Sequence, residues 1–166
     1  MSVPSLPYRP NVGIALFNAA GLVFAGTAVN AGPEVVVAGH EWQMPQGGID
    51  PDEDVAAAAL RELREETGIA AASVLAVTED WWPYDFPPYG GLAHKLSAFR
   101  GQTQRWVALR FEGDEAAIDL AHPPPDCAVE FTAWAWVPLA SLPDRVMPHK
   151  RANYLKVVEA FGRFAR

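Results

Sequence analysis

The chain has 166 residues, half of them hydrophobic and a fifth charged, with a formal net charge of −7. That balance suits one soluble globular domain spanning 1–166 and excludes a disordered or fibrous chain. The negative charge argues against a general nucleic-acid coat or a DNA partner, since such binding rests on many cationic phosphate contacts. Cys127 is the one cysteine, so no internal disulfide framework is possible. No stretch reaches the roughly 18 apolar residues of a membrane span. Met1 to Pro10 lacks the basic segment and apolar run of a secretory signal. The expectation is a cytoplasmic protein with no membrane contact and no obligate protein partner.

In chain order, Val12 to Asn18 is apolar and β-branched, Asn18 to Gly21 reads as a turn, and Leu22 to Val29 completes a hairpin. Asn30 to His40 reads as a Gly-containing loop with a little strand at Val35 to Val37. Trp42 to Pro51, with two prolines and the pair Gly47-Gly48, reads as a loop. Asp52 or Asp54 can cap a helix that runs to about Thr67 and ends at Gly68. Ser73 to Asp80 reads as a strand, and Trp81 to Gly91 as an aromatic, Pro-rich loop. Leu92 to Phe99 and Thr103 to Phe111 read as two more strands, the second placing Arg105, Val107, Leu109 and Phe111 on one face. Glu112 to Asp126 is a polar surface loop, and Glu130 to Val137 a further strand. From Lys150 onward, Tyr154, Val157, Val158 and Phe161 keep the spacing of one helix face. The order implies an α/β (α+β) fold, a mixed sheet with helices packed on it.

Charge is unevenly placed. Asp50 to Glu66 carries seven acids and two bases, whereas Arg145 to Arg166 carries six bases and one acid. The basic tail could receive an anionic ligand or be a solvated helix face. Within the acidic helix, Glu62, Glu65 and Glu66 stand at i, i+3 and i+4 and project from one face. Three unpaired carboxylates there repel one another, and a hard divalent cation, which prefers oxygen ligands and bridges carboxylates to phosphates, would offset that cost. The four histidines are scattered, which argues against zinc. Gly47-Gly48 can bring backbone close to a metal or phosphate. Glu53 lies eight residues before Arg61, and their pairing could lock loop to helix.

Gly47, Glu53 and the run Arg61-Glu62-Leu63-x-Glu65-Glu66-x-Gly68-Ile69 resemble the Nudix box at every defined position. Further segments are similar to the branch of that family that hydrolyses RNA 5′ ends and dinucleoside polyphosphates: Tyr8 to Gly13, Trp42 to Gly48, Gly101 to Trp106, and Glu130-Phe131 with Trp134-x-Trp136-Val137. The resemblance implies an α/β/α sandwich and cleavage of a nucleoside-linked pyrophosphate with Mg²⁺ or Mn²⁺. It implies that Glu62, Glu65 and Glu66 hold metal ions, with Glu65 or Glu66 orienting or deprotonating the attacking water. It further implies Glu130 as another metal ligand or base, and a carbonyl at Gln46-Gly47 completing a metal site. By the same resemblance Arg9 and Lys150 face phosphates or the RNA end, Gln104 lies near the nucleotide, and Glu53, Arg61 and Gly68 are structural. The chain departs from bacterial relatives where Gly26 and Thr27 replace arginines and where Asn30 to Gly39 resembles an insertion. The substrate expected is a nucleotide or an RNA 5′ end. The rival reading is a non-catalytic nucleotide or RNA-end binding module with the same fold. Trp81, Trp82, Tyr84, Phe86 and Tyr89 could stack on bases or pack over the sheet, and Cys127 reads as an incidental small residue.

Overall fold

A computed structural model describes residues 5–165, so Met1 to Pro4 of the N-terminal reading and Arg166 of the basic tail lie outside the described residues. Eight strands form one sheet: β1 Tyr8–Phe17, β2 Val23–Ala28, β3 Trp42–Gln43, β4 Gln46–Gly48, β5 Ala72–Val77, β6 Trp82–Asp85, β7 Gly101–Phe111 and β8 Phe131–Val137. The path β3-β2-β1-β7-β5 is extended by β4 on β1, β6 on β7 and β8 on β2. β1 and β7 run parallel over ten residue pairs and the other pairings are antiparallel. The sheet is therefore mixed, as expected.

Helix α1 (Val55–Thr67) and helix α2 (Arg151–Phe161) cover opposite faces. On one face Val12, Ile14, Leu16, Val107 and Leu109 pack with Ala58, Ala59 and Leu63 of α1. On the other, Ala15, Phe17, Trp106 and Ala108 pack with Tyr154, Val157 and Phe161 of α2. Both central strands are thus buried on both sides, which is why their sequences read as apolar runs rather than clean alternation. The layers are helix, sheet, helix. Among the described residues, no helix is long and apolar enough to cross a membrane.

Several boundaries differ from the sequence reading. Leu92 to Phe99 is not a strand. The slot beside the start of β7 is taken by β6, and His94 and Ser97 form a reciprocal capping box around the 3₁₀ turn Lys95–Ala98. Such local side-chain bonds compete with ladder pairing. Val35 to Val37 is not a strand either: Val35 and Val37 are half exposed, and this segment holds only the bridge between Ala31 and Glu34. The supposed loop Trp42 to Pro51 contains β3 and β4, and the aromatic loop contains β6. β1 starts at Tyr8, four residues before the apolar run, because β7 offers it a parallel partner from Gly101 onward.

Candidate active site

The acidic helix begins where Asp54 accepts a hydrogen bond from the Ala57 amide at 3.1 Å, and ends where Gly68 adopts φ 75° and donates to the Arg64 carbonyl. Left-handed φ is nearly free of cost for glycine, so the chain can turn there into β5. Leu63 and Ala59 anchor the inner face of α1, and that rotation turns Glu62, Glu65 and Glu66 toward β4 and a cleft of about 450 Å³. The cleft is lined from four sides. Arg9 and Asn11 come from β1, Gln46 to Gly48 from β4, and the glutamates from α1; opposite stand Glu34, His94 to Leu96 and Asp126 to Glu130.

Arg61 ties the helix to the loop before it. Its Nε and Nη2 donate to the two oxygens of Glu53 at 2.8 Å each, and Nη2 also donates to the Gly48 carbonyl at 2.9 Å. This two-pronged pairing holds the Glu53 carboxyl down at about 2, with Arg61 the leading cause. The remaining nitrogen, Nη1, donates to Glu62 at 2.9 Å and approaches Glu65 at 3.3 Å. One guanidinium thus serves three glutamates of the segment.

Arg61 does not reach Glu66. Glu66 is 8 % exposed, and its Oε2 has no hydrogen-bond partner. Burial first, then repulsion from Glu130 and Glu62, raises its carboxyl well above the ordinary range, against a backbone hydrogen bond at Gln46. Glu62 is raised to about 7, chiefly by burial, with Arg61 opposing and Glu65 adding to the rise. Glu130, just before β8, is raised by burial, with Lys95 the foremost opposing charge. A set of buried carboxyls with elevated proton affinity, sharing one cleft, marks a place where a cation or a proton is wanted.

Glycines beside them let the Glu62 and Arg9 side chains lie against the backbone. A Cβ on Gly47 would fall on the Glu62 carboxyl group, and a Cβ on Gly48 on the Arg9 guanidinium. Among the described residues, no three carboxylate, thiol or imidazole groups form a ready-made metal cage, and Arg61 instead spans Glu62 and Glu65. The donors nevertheless fit a hard divalent cation. They are all oxygens, the orphaned Glu66 Oε2 faces no competing donor, and the bare Gly47 backbone lets the Glu62 carboxyl lie close against β4.

Of the residues singled out from sequence, Arg9, Gly47, Glu62, Glu65, Glu66 and Glu130 line this one cleft. Two others do not. Gln104 is 1 % exposed and is consumed by neighbours: Nε2 donates to Asn11 at 2.9 Å and to Gln46, while Oε1 accepts from Asn153 at 3.0 Å and from the Trp106 indole. It braces β1 and α2 rather than facing a nucleotide. Lys150 is 1 % exposed, with Nζ 2.6 Å from Glu34 Oε2 and 3.2 Å from Gln43 Oε1. It is not a solvent-facing helix-start charge, and its neighbour Arg151 pairs with Asp144 at 3.1 Å. The 3₁₀ turn Pro148–Lys150 before α2 turns Lys150 inward, and burial holds it only because Glu34 answers its charge.

Glu34 was missed from sequence because it sits in the Asn30 to Gly39 segment, where no periodicity marks an inward-facing residue. Tyr84 settles between stacking and packing: it is buried, and its hydroxyl donates to Glu34. Cys127 lines the cleft. Gly26 is pressed against the Phe131 ring, which leaves no room for a side chain there, and Thr27 bonds Thr132.

The comparisons with known proteins agree with this geometry. A family model described as the NUDIX domain matches residues 7–158. A protein of Brucella ovis named RNA pyrophosphohydrolase is 52 % identical over 163 residues, covering 97 % of this chain and 91 % of that one. A protein of Brucella anthropi with the same name is 50 % identical over 159 residues, covering 95 % and 91 %. The fold is similar to that of an Ap4A hydrolase of C. elegans in a binary complex, with TM-score 0.60, 18 % identity and coverage of 93 % and 98 %. It is similar again to the E. coli dihydroneopterin triphosphate pyrophosphohydrolase, with TM-score 0.60, 14 % identity and coverage of 93 % and 99 %. With the domain matched across nearly its whole length, and the box glutamates gathered on one cleft, the chain belongs to the NUDIX family.

Proposed function

We propose that this enzyme hydrolyses a phosphoanhydride bond at the 5′-triphosphate end of RNA, with dinucleoside polyphosphates as second substrates. The names of the Brucella relatives, at half identity over nearly the whole chain, support the RNA end. The observation that carries the chemistry is Glu66, a buried carboxyl with an unsatisfied oxygen in a cleft already crowded with acids. Such a group favours a cation over solvent, and members of this family generally use a divalent metal.

Glu62, Glu65, Glu66, Glu130 and the Gly47 carbonyl are the donors that would hold Mg²⁺ or Mn²⁺. When bound, the ion neutralises phosphate oxygens and lowers the pKa of water. The chain's own residues do the rest. Arg9 presents its guanidinium beside the bare Gly48 backbone, where a phosphate oxygen can approach both. Glu66 or Glu130, each with raised proton affinity, accepts the proton of the attacking water and orients its lone pair toward phosphorus. Arg61 keeps the helix face in register with β4 through Glu53 and Gly48.

The test offers purified enzyme with Mg²⁺ a 5′-triphosphorylated RNA and diadenosine tetraphosphate side by side, with products resolved. Release of pyrophosphate and a 5′-monophosphorylated RNA is the expected result. Tight binding of either ligand with no turnover would replace the hydrolase by a binding module.

A further inference from the structure

A chain of buried hydrogen bonds runs from Lys150 to the cleft. Lys150 Nζ holds Glu34 Oε2 at 2.6 Å. The Tyr84 hydroxyl donates to Glu34 Oε1 at 3.1 Å, and Gln102 Nε2 donates to the Tyr84 oxygen at 2.6 Å. The Gln102 carbonyl oxygen then accepts from Arg9 Nη1 and from Asn11 Nδ2, each at 2.9 Å. Lys150, Glu34, Tyr84, Gln102 and Asn11 are all buried, so water does not stand in for any member.

The direction of this chain is not free. A carboxylate only accepts hydrogen bonds, and an ammonium only donates them. Glu34 faces the Lys150 ammonium through one oxygen and Tyr84 through the other, so the Tyr84 hydroxyl spends its one proton on Glu34. Its oxygen can then only accept, and it takes the Gln102 amide N–H. That fixes the Gln102 amide with its oxygen toward Arg9. The flipped amide would set N–H groups against the guanidinium and against the Asn11 amide nitrogen, donor against donor.

We propose that Glu34, supplied by the Asn30 to Gly39 segment, is a positioning residue that orders the proton direction of this relay and so aims Arg9 at the substrate phosphates. Lys150 then acts through Glu34, and never on the substrate itself. The chemistry recognised is a polyphosphate anion held by Arg9. This rests on the reading of Arg9 as a phosphate contact in the proposed function.

The test compares Glu34→Gln and Tyr84→Phe, each alone and combined with Arg9→Ala. A glutamine at 34 can donate to Tyr84 and reverse the chain. Phenylalanine at 84 removes the short Tyr84 step, leaving Gln102 only its long 3.4 Å approach to Glu34, and keeps the Lys150–Glu34 pair intact, so it reports even if the first variant folds poorly. Two readouts are used: KM and kcat for 5′-triphosphorylated RNA with Mg²⁺, and the dissociation constant for that RNA in EDTA, where turnover stops. Each single variant should weaken binding about tenfold, the scale of one misaligned hydrogen bond to a charged group, with kcat moved far less. On the Arg9→Ala background the same changes should have almost no further effect. Equal losses with and without Arg9, or no loss in Tyr84→Phe, would overturn the relay. If RNA is bound with this coupling but not hydrolysed, the proposed activity falls while the relay stands.

Discussion

The two walls of the cleft are built in opposite ways. The first, from β4 through α1, is nearly continuous in sequence: Glu53 and Arg61 are eight residues apart and clasp each other within one loop and helix. The second is assembled from Glu34, Lys95 and Glu130, which lie in three separated segments, and its buried cation Lys150 arrives from near the other end of the chain. Each wall answers a glutamate with a base, half-buried in the first and buried in the second. Only in the first is the answer written locally, and only there can a single stretch of residues specify both partners.

Breaking the first wall should cost most. Glu66→Gln should lower kcat a hundredfold or more, since an amide has one poor oxygen ligand and cannot accept the proton of water. Its melting temperature should hold or rise, because a neutral amide replaces a buried carboxyl crowded by Glu130 and Glu62. Steady-state kinetics beside calorimetry separates the two, and near-normal turnover at saturating Mg²⁺ would unseat Glu66.

Gly47→Ala should cost some tens of fold in kcat/KM, since its Cβ can be seated only by displacing the Glu62 carboxyl. The second wall should be softer. Glu130→Gln should lower kcat about tenfold with KM nearly constant, as befits a group acting at the chemical step. A change in KM alone would make this wall a binding surface.

The smallest effect sharpens the contrast through pH. Glu62, raised to about 7 in the folded chain, binds a proton that the unfolded chain has released above about 4.5. Without metal, stability should therefore fall as pH rises from 4.5 toward 7. A divalent cation needs the ionised carboxylate, so its affinity should climb over that window and level off above 7. Melting curves in EDTA and in Mg²⁺ across pH 5.5 to 8.5 should diverge as pH rises, and Glu62→Gln should remove most of the divergence. Glu53, held at about 2 by Arg61, behaves oppositely: its contribution is present above 4.5 and lost only as pH falls toward 2.

The same contrast explains what the sequence disclosed. The box spacing located the first wall and its stop at Gly68, and narrowed its cap to Asp52 or Asp54, because those relations are local and periodic; the structure selects Asp54. The spacing did not disclose that Lys150 and Gln104 are buried. A lysine at a helix start and a glutamine in a strand look alike whether solvated or sealed, and only the partner decides. Glu34 and Tyr84 are partners brought together by pairing of β6 with β7, which a one-dimensional reading took for a loop. Leu92 to Phe99 was misread for the same reason, since its apolar residues satisfy a strand pattern while the neighbouring ladder position was already filled.

The parallel pairing of β1 with β7 has a consequence for how the chain matures. Arg9 meets Gln102 across 93 residues, and Thr27 meets Thr132 across 105. Contacts so distant along the chain pay their loop-closure entropy before any reward, which places folding in the slow range of mixed topologies. A growing polypeptide that has finished the acidic helix has no parallel strand to lay beside β1 and no β8 to lay beside β2. The carboxylate cluster therefore exists as sequence well before it exists as a cleft, and hydrolytic competence arrives only with the last strand of the sheet.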